Sequence, residues 1–448
     1  MIGKDKIIEI LKKAVSRSKA DQTEILVMGG KSYLTGFANN YIHRNVGNED
    51  YTINIRLAFG KRIGSATVHG FSEEIIEKAL KDAELIAENQ KENPDFVSFA
   101  KPSKEVRQFD EKALYSENTA NCDAECRAKI AKEVVDASKK LGLNSSGTVE
   151  TETDEIAIVN SLGVEKYCVR TVASIKNIAM AADSSGYSKS TAVDITKINV
   201  EEIIKESTDL ALSGRGPISI EPGKYEVILT PYAVAEFISH ILYLSLNARA
   251  VNEGSSFLIG NFGKKILGDN ITMYDDGLSE ETIPLPFDFE GVDKKRVVFF
   301  ENGVAKDVVY DTLTAYKEGR ESTGHSLPQP SPYSPYPMNF VIEGGNSSPE
   351  EMISNVKRGL FVQRFWYTNP MDPKNAVITG MTRDGLFLIE NGKITKPVMN
   401  MRFTESVISA LNNVIELSKT KKIIYDMASV TVPYLRVKDF TFTGKTEF

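Results

Sequence analysis

An α+β fold is expected for this chain: an N-terminal α/β region in which a strand-then-helix unit occurs twice, followed by a β-rich C-terminal domain. Three observations lead there. The first residues carry a helical apolar period, two later blocks of β-type alternation each close on an amphipathic helix, and most of the sequence after residue 221 alternates like strands. At 448 residues the chain exceeds what one hydrophobic core usually serves. Three parts are expected: an N-terminal α+β domain over 1–105, a middle α+β domain over 106–220 and a β-rich domain over 221–448.

The opening MIGKDKIIEILKKAVSR sets Ile7, Ile8, Ile10, Leu11 and Val15 at helical spacing among lysines. Residues 25–68 then read as successive strands, rich in β-branched and aromatic residues and broken by Gly and Asn turns. At FSEEIIEKALKDAELIAE the period changes. Ser72 is placed to cap a helix, Glu73 and Glu74 fall in its first turn, and Ile76, Ala79, Leu80, Ala83 and Ile86 face inward. The order returns further on: residues 148–193 read as strands, and NVEEIIKESTDLALS resembles the earlier EEIIEKALKDAELI, with a charged helix near 124–141 between the copies. SGRGPISIEPGKYE, from Ser213, is rich in Gly and Pro and marks the boundary to the last domain. Beyond it, KKRVVFFENGVAKDVVYD, NAVITGMTRDGLFLIENGKITKPV and VTVPYLRVKDFTFTG show β alternation around Gly, Asn and Asp turns. HSLPQPSPYSPYPMNF (325–340) is too proline-rich for a helix or central strand and is expected to run extended along a surface. In GNSSPEEMISNV a helix starts, because Ser348 and Glu351 have capping-box spacing and Pro349 takes the first helical position.

The formal net charge is −7, spread along the chain, and no basic stripe or block is present. Direct nucleic-acid binding is therefore disfavoured. No run approaches the roughly 20 apolar residues of a membrane span, and the first helix lacks the apolar core of a signal peptide. A cytoplasmic protein is expected. Three cysteines exclude a complete disulfide set. Cys122 and Cys126 lie one helical turn apart, but no second ligand pair follows to complete a metal clip, and Cys168 reads as a buried strand residue.

The stretch AEFISH (235–240) lies in a predicted helix over 231–245. Val234, Phe237, Ile238, Ile241 and Leu244 share one arc; Glu236 and His240 lie toward the other, with Tyr232 and Tyr243 nearby. A catalytic zinc needs three protein ligands and an open position for water, with a neighbouring glutamate as general base. Glu236 and His240 have the chemistry of a base and one ligand, whereas Ala235 offers no donor atom. Taken alone, the pattern is that of a helix packing its aliphatic face inward and keeping a glutamate and a histidine on its polar face. His43, His69 and His325 have no companion ligand at a recognisable spacing and read as strand or loop histidines.

GKRIGSATVHGFSEEIIEKAL, NEGSSFLIGNFGKKI, DDGL, PFDFEGVDKKRVVFFENGV, DTLTAYKEGRESTGHS and TRDGLFLIENGKITKPV together resemble the TldD/PmbA family, and the likeness extends over nearly the whole chain. In its TldD-type members the helix before the GSS segment carries HExxxH, and a cysteine near the C-terminus completes a zinc site. Aligned on that pattern, Ala235 replaces the first histidine, Glu236 matches the general base as a remnant, and His240 is the only matched metal ligand. DMASVTVPYLRVKDF contains no cysteine. The resemblance thus implies the PmbA (TldE) branch: a subunit without intrinsic protease activity or an expected cofactor, forming a homodimer or a heterodimer with a TldD-type subunit that processes unfolded or small peptides. Two alternatives accompany it, a self-sufficient zinc metallopeptidase and an indirect modulator of DNA gyrase. The proline-rich segment fits either a cleft wall or a rigid connector, and the turn at Gly254–Ser256 either donates to a bound chain or is a plain turn.

Overall fold

The computed structural model describes residues 1–104 and 107–446. Its first part runs α1 (Lys4–Arg17), β1 (Gln22–Ala38), β2 (Tyr41–Phe59), β3 (Arg62–His69) and α2 (Glu73–Asn89). After the short α3 (Glu117–Ala120) come α4 (Ala124–Lys140), β4 (Asn144–Asn160), β5 (Glu165–Met180), β6 (Ser185–Ala192) and α5 (Val200–Ser213). The repeated unit is therefore helix, three strands, helix. The charged helix expected between the copies is the leading helix of the second one.

Both copies contribute to one antiparallel sheet in the order β3-β2-β1-β4-β5-β6. Its central ladder pairs β1 with β4 from Glu24↔Asn160 to Phe37↔Gly147, so residues of 1–105 and 106–220 meet in a single hydrogen-bonded layer. One face carries all the flanking helices. Ile25, Ile53, Ile55 and Ala157 pack with Ile7, Leu11, Ile76 and Ala83, and Phe37, Val149 and Ile175 pack with Val134, Val135 and Ile203. On the other face Leu26, Ile156 and Ile158 meet Leu285, Phe287 and Phe289 from the C-terminal region, with Cys168 buried among them.

Ser72 caps α2 as expected, accepting from the Ile75 amide. The buried stripe is Ile76, Ala79, Leu80, Ala83 and Ala87; Ile86, expected inward, is 39% exposed. The reason lies in β3. A Cβ on Gly64 would come within 2.0 Å of the Ala83 carbonyl and 2.9 Å of the Ala87 Cβ, so the helix crosses the strand at this point with Ala83 and Ala87 underneath. The second copy repeats the device: a Cβ on Gly186 in β6 would lie 2.1 Å from the Ser207 carbonyl.

The C-terminal region comprises β7 (Gly223–Leu229), α6 (Pro231–Leu244), α7 (Ala248–Asn252), β8 (Met273–Asp275), β9 (Val297–Glu301), β10 (Val304–Ala305), α8 (Thr312–Lys317), β11 (Asn339–Ile342) and α9 (Pro349–Ser354). It ends with β12 (Arg358–Asp372), β13 (Val377–Glu390), β14 (Lys393–Pro397), β15 (Met401–Ser406), α10 (Val407–Asn412), β16 (Val414–Tyr425) and β17 (Ser429–Lys445). These strands form one 11-stranded sheet. Because β7 pairs with both β12 and β17, the strands β7, β12, β13, β15 and β17 close a hydrogen-bonded circuit. Phe237 of α6 packs against Phe365, Phe403 and Phe440 of those strands, with ring centroids 5.4–6.1 Å apart. The Ser348–Glu351 capping box at α9 forms as read from the sequence.

Two expectations are corrected. The proline-rich segment does not lie along the surface: His325, Ser326, Leu327, Ser334 and Tyr336 are buried, and Asn339 and Phe340 enter β11. Its polar groups find partners inside, with Ser334 donating to Asp311 and the Ser326 and Asn339 amides donating to Asp288 and Asp275. Only residues 330, 332 and 333 of it are exposed. Cys122 and Cys126 are joined in a disulfide at the start of α4, their Cα atoms 5.4 Å apart, within ordinary bridging reach. Among the described residues no helix is long and apolar enough to cross a membrane.

Gly64→Ala and Gly186→Ala should each destabilise the protein by about 1–3 kcal/mol, the range for forcing extra atoms into a packed interior. Thermal melting checks this, with Gly444→Ala as the control, where an added Cβ meets nothing nearer than 3.8 Å. Equal melting temperatures for all three variants would show that the helices simply move aside.

Candidate functional site

The site is built on α6 and the strand beside it. Thr230 leaves β7 in an extended conformation, and Pro231 occupies the first helical turn, where its missing N–H would have had no helical partner. Val234, Phe237, Ile238 and Ile241 bury one side of the helix in the C-terminal core. Glu236 and His240, one turn apart, are half-buried on the other side. Ala235 is only 6% exposed and belongs to the core cluster. Leu244, read as part of the apolar arc, is partly exposed, while Tyr232, read as lying toward the polar side, is 4% exposed. The Tyr232 hydroxyl donates to the Lys189 carbonyl and accepts from the Lys422 ammonium.

What the sequence did not reveal is Thr368. β12 pairs in parallel with β7 from Gly359↔Glu226 to Val362↔Leu229, and then continues past the end of β7. Since α6 starts immediately after β7, the far half of β12 runs beside the helix. Thr368 Oγ1 donates to Glu236 Oε1 at 2.7 Å and lies 3.1 Å from His240 Nε2. Tyr243 Oη lies 2.9 Å from His240 Nδ1. The proton positions follow from valence. A carboxylate only accepts, so the single hydroxyl proton of Thr368 goes to Glu236, and His240 must donate from Nε2 to Thr368. In the neutral imidazole, Nδ1 then accepts from Tyr243. Burial holds the His240 pKa below its usual value near 6.5, opposed in part by the negative charge of Glu236. The neutral tautomer is thus the favoured one.

Around this chain of hydrogen bonds the surface is aromatic. Tyr243 meets Tyr333 of the proline-rich segment edge to face, with centroids 5.7 Å apart. Tyr333, Trp366, Tyr367 and Met371 are all exposed. The pairing of β12 with β13 shifts register between Trp366 and Asn369, and Tyr367 adopts φ of 53°, so this end of the strand is irregular.

The other candidates lie elsewhere. His43 is an exposed residue of β2, and His69, at the end of β3, contacts Asp50 at 2.9 Å. His325 is a fully buried loop residue held by Asp275 and Thr323. The Ser255 and Ser256 amides both donate to the Ala250 carbonyl, so the turn at Gly254–Ser256 uses its own donors internally. Among the described residues no three His, Cys, Asp or Glu side chains converge so as to hold a metal ion.

Residues 222–444 match the PmbA/TldA metallopeptidase C-terminal domain, and residues 23–87 match PmbA/TldA metallopeptidase domain 1, together more than half of the sequence. The chain belongs to the PmbA/TldD family. Metalloprotease PmbA of Escherichia coli O157:H7 is 23% identical over 96% of each chain. An uncharacterized protein of Methanocaldococcus jannaschii is 28% identical over 67% of this chain and 70% of its own length. The crystal structure of TldE from Thermococcus kodakarensis superimposes with a TM-score of 0.84 over 98% of this chain and 99% of that one, at 21% identity, and so shares the fold.

The lowered pKa of His240 has a sign. Between that pKa and about 6.5 the unfolded chain binds more protons than the folded one, so stability falls as pH drops through this window. Buried His325, also lowered by burial, acts in the same direction. His240→Gln should flatten the acid-side fall, by at most about 1.4 kcal/mol per pH unit. Urea unfolding between pH 5 and 7.5 measures it, and an unaltered pH slope in the variant would refute it.

Proposed function

We propose that this chain works in the cytoplasm as a PmbA/TldE-like subunit in peptide processing, without a zinc centre of its own, assembled with a copy of itself or with a TldD-type subunit. The observation that carries this reading is the condition of α6. The donor set there does not fit a zinc ion: Ala235 has no coordinating atom, and both ring nitrogens of His240 are engaged, by Thr368 and Tyr243. Glu236 receives the Thr368 hydroxyl rather than facing an unoccupied coordination position. A single imidazole falls far short of the three protein ligands of a catalytic zinc.

Support for a peptide as the bound species comes from the surroundings. Exposed Tyr333, edge to face with Tyr243, and exposed Tyr367, next to Thr368 in β12, present apolar contact surface beside the helix. A peptide laid there would have its cleavage chemistry supplied by the partner's metal.

Protein purified without added metal should contain far less than one zinc per chain and should leave casein intact, with cleavage arising when a TldD-type subunit is added. Elemental analysis and a cleavage assay on one preparation test both halves. Zinc near one per chain that disappears in His240→Ala, accompanied by chelator-sensitive cleavage by the protein alone, would establish the self-sufficient metallopeptidase instead.

A further inference from the structure

A cavity of about 560 Å³ lies where the first copy of the repeated unit meets the C-terminal region. Its walls come from β2 and β3, from the 93–99 segment after α2, and from α7, the start of α8 and the 329–332 stretch of the proline-rich segment. No residue of α6 lines it, so it is separate from the Glu236–His240 site. The apolar part of the lining is Ile63, Phe96, Phe99, Leu313, Pro330 and Pro332.

The charged residues of the lining are two arginines, Arg56 and Arg249, and two carboxylates, Glu290 and Asp311. Arg56 donates from Nε and Nη2 to Glu24 Oε1, at 2.9 and 2.5 Å, and from Nη2 to Glu290 Oε1 at 3.0 Å. Glu290 Oε2 accepts from the Thr312 amide. Asp311 is engaged as well, by the Thr314 amide and hydroxyl and by the Ser334 hydroxyl. Both lining carboxylates therefore have partners. Arg249 is different: partly buried, its side chain makes no ion pair or hydrogen bond among the described residues.

A free guanidinium and a wall of phenylalanine and proline together describe the complement of one ligand class. We infer that this cavity binds a small carboxylate with an apolar or aromatic body, anchored by Arg249. The planar fork of Arg249 pairs with the two carboxylate oxygens. The body packs against Phe96 and Phe99, the latter with the Arg56 guanidinium 4.9 Å from its ring centre. The volume falls within the range of small-molecule sites. The inference is independent of the proposed function, since it uses none of the same residues.

Isothermal titration calorimetry with N-acetyl-L-phenylalanine and its amide tests it on the full chain. The acid should bind at one site per chain, and the amide about tenfold more weakly or worse, the scale of one charge-assisted pair. Arg249→Ala should weaken the acid by a similar factor and leave the amide unchanged. Equal affinity for acid and amide, unchanged binding in Arg249→Ala, or no binding of the acid at millimolar concentration would each overturn the assignment. Should a variant fail to fold, the acid-against-amide comparison on the unaltered protein decides by itself.

Discussion

Where the helix-backed sheet meets the C-terminal region, Arg56 of β2 sits between two carboxylates, Glu24 from β1 and Glu290 from the C-terminal side. All three side chains are almost completely buried. Taking these charges out of water is expensive and is offset only if the geometry is good. Burial pushes Glu24 up to about 7, and the nearby Glu290 adds to the rise, while the Arg56 guanidinium pulls it back. Losing one member of such a group typically costs about 3–5 kcal/mol, because the others are left buried and uncompensated. The apolar contacts of Leu26, Ile156 and Ile158 with Leu285 and Phe287 supply adhesion between the same two layers. Apolar contact tolerates sliding; a three-way ion contact does not. The triad, together with the Lys166–Asp293 pair, therefore fixes how the C-terminal region registers on the sheet.

A second constraint acts within the C-terminal region. β7 must pair with β12 on one side and β17 on the other for the strand circuit to close, which leaves no freedom in where α6 emerges. β12 is 15 residues long and β7 only seven, so β12 overruns β7 beside the helix. The overrun is what brings Thr368 to Glu236 and His240 across about 130 residues of sequence. An ion that recruited His240 would have to displace one of its two hydrogen bonds, so the same packing that defines the helix position also restricts its chemistry.

Local signals in the sequence translated directly into structure. Ser72 and the Ser348–Glu351 pair mark helix starts because a cap depends on two or three adjacent residues and little else. The repeated unit was legible because both copies keep the same order of periods. Three features were not. The β1–β4 ladder joins strands about 120 residues apart, and nothing local specifies it. Thr368 has no signature of its own, since its role comes from a parallel pairing that carries no turn signal. The burial of the proline-rich segment was hidden because proline content argues against ladder bonding, not against burial when neighbouring Asp275, Asp288 and Asp311 accept its donors. Ile86 shows the same limit at finer grain: periodicity identified the helix, but Gly64 in another element determined which residue faces inward.

The two copies of the repeat also differ in a way that accounts for the cavity. In the second, the leading half of β5 is flanked by residues 114–116, with the Leu114 carbonyl accepting from the Thr171 amide, and by Asp293, which pairs with Lys166. α5 then leads straight into the C-terminal region. In the first copy, the chain after α2 folds back instead, where the Asn93 amide donates to the Lys61 carbonyl and the Lys61 ammonium to the Pro94 carbonyl. That return places Phe96 and Phe99 over Ala58 and next to Arg56. The corresponding half of β2, from Tyr41 to Glu49, stays exposed. Symmetric strands thus end in asymmetric surroundings. The space between the two phenylalanines, α8 and the proline-rich segment forms where the return loop of the first copy meets the C-terminal region, and its lining includes Arg249, a cation that neither copy of the repeat pairs.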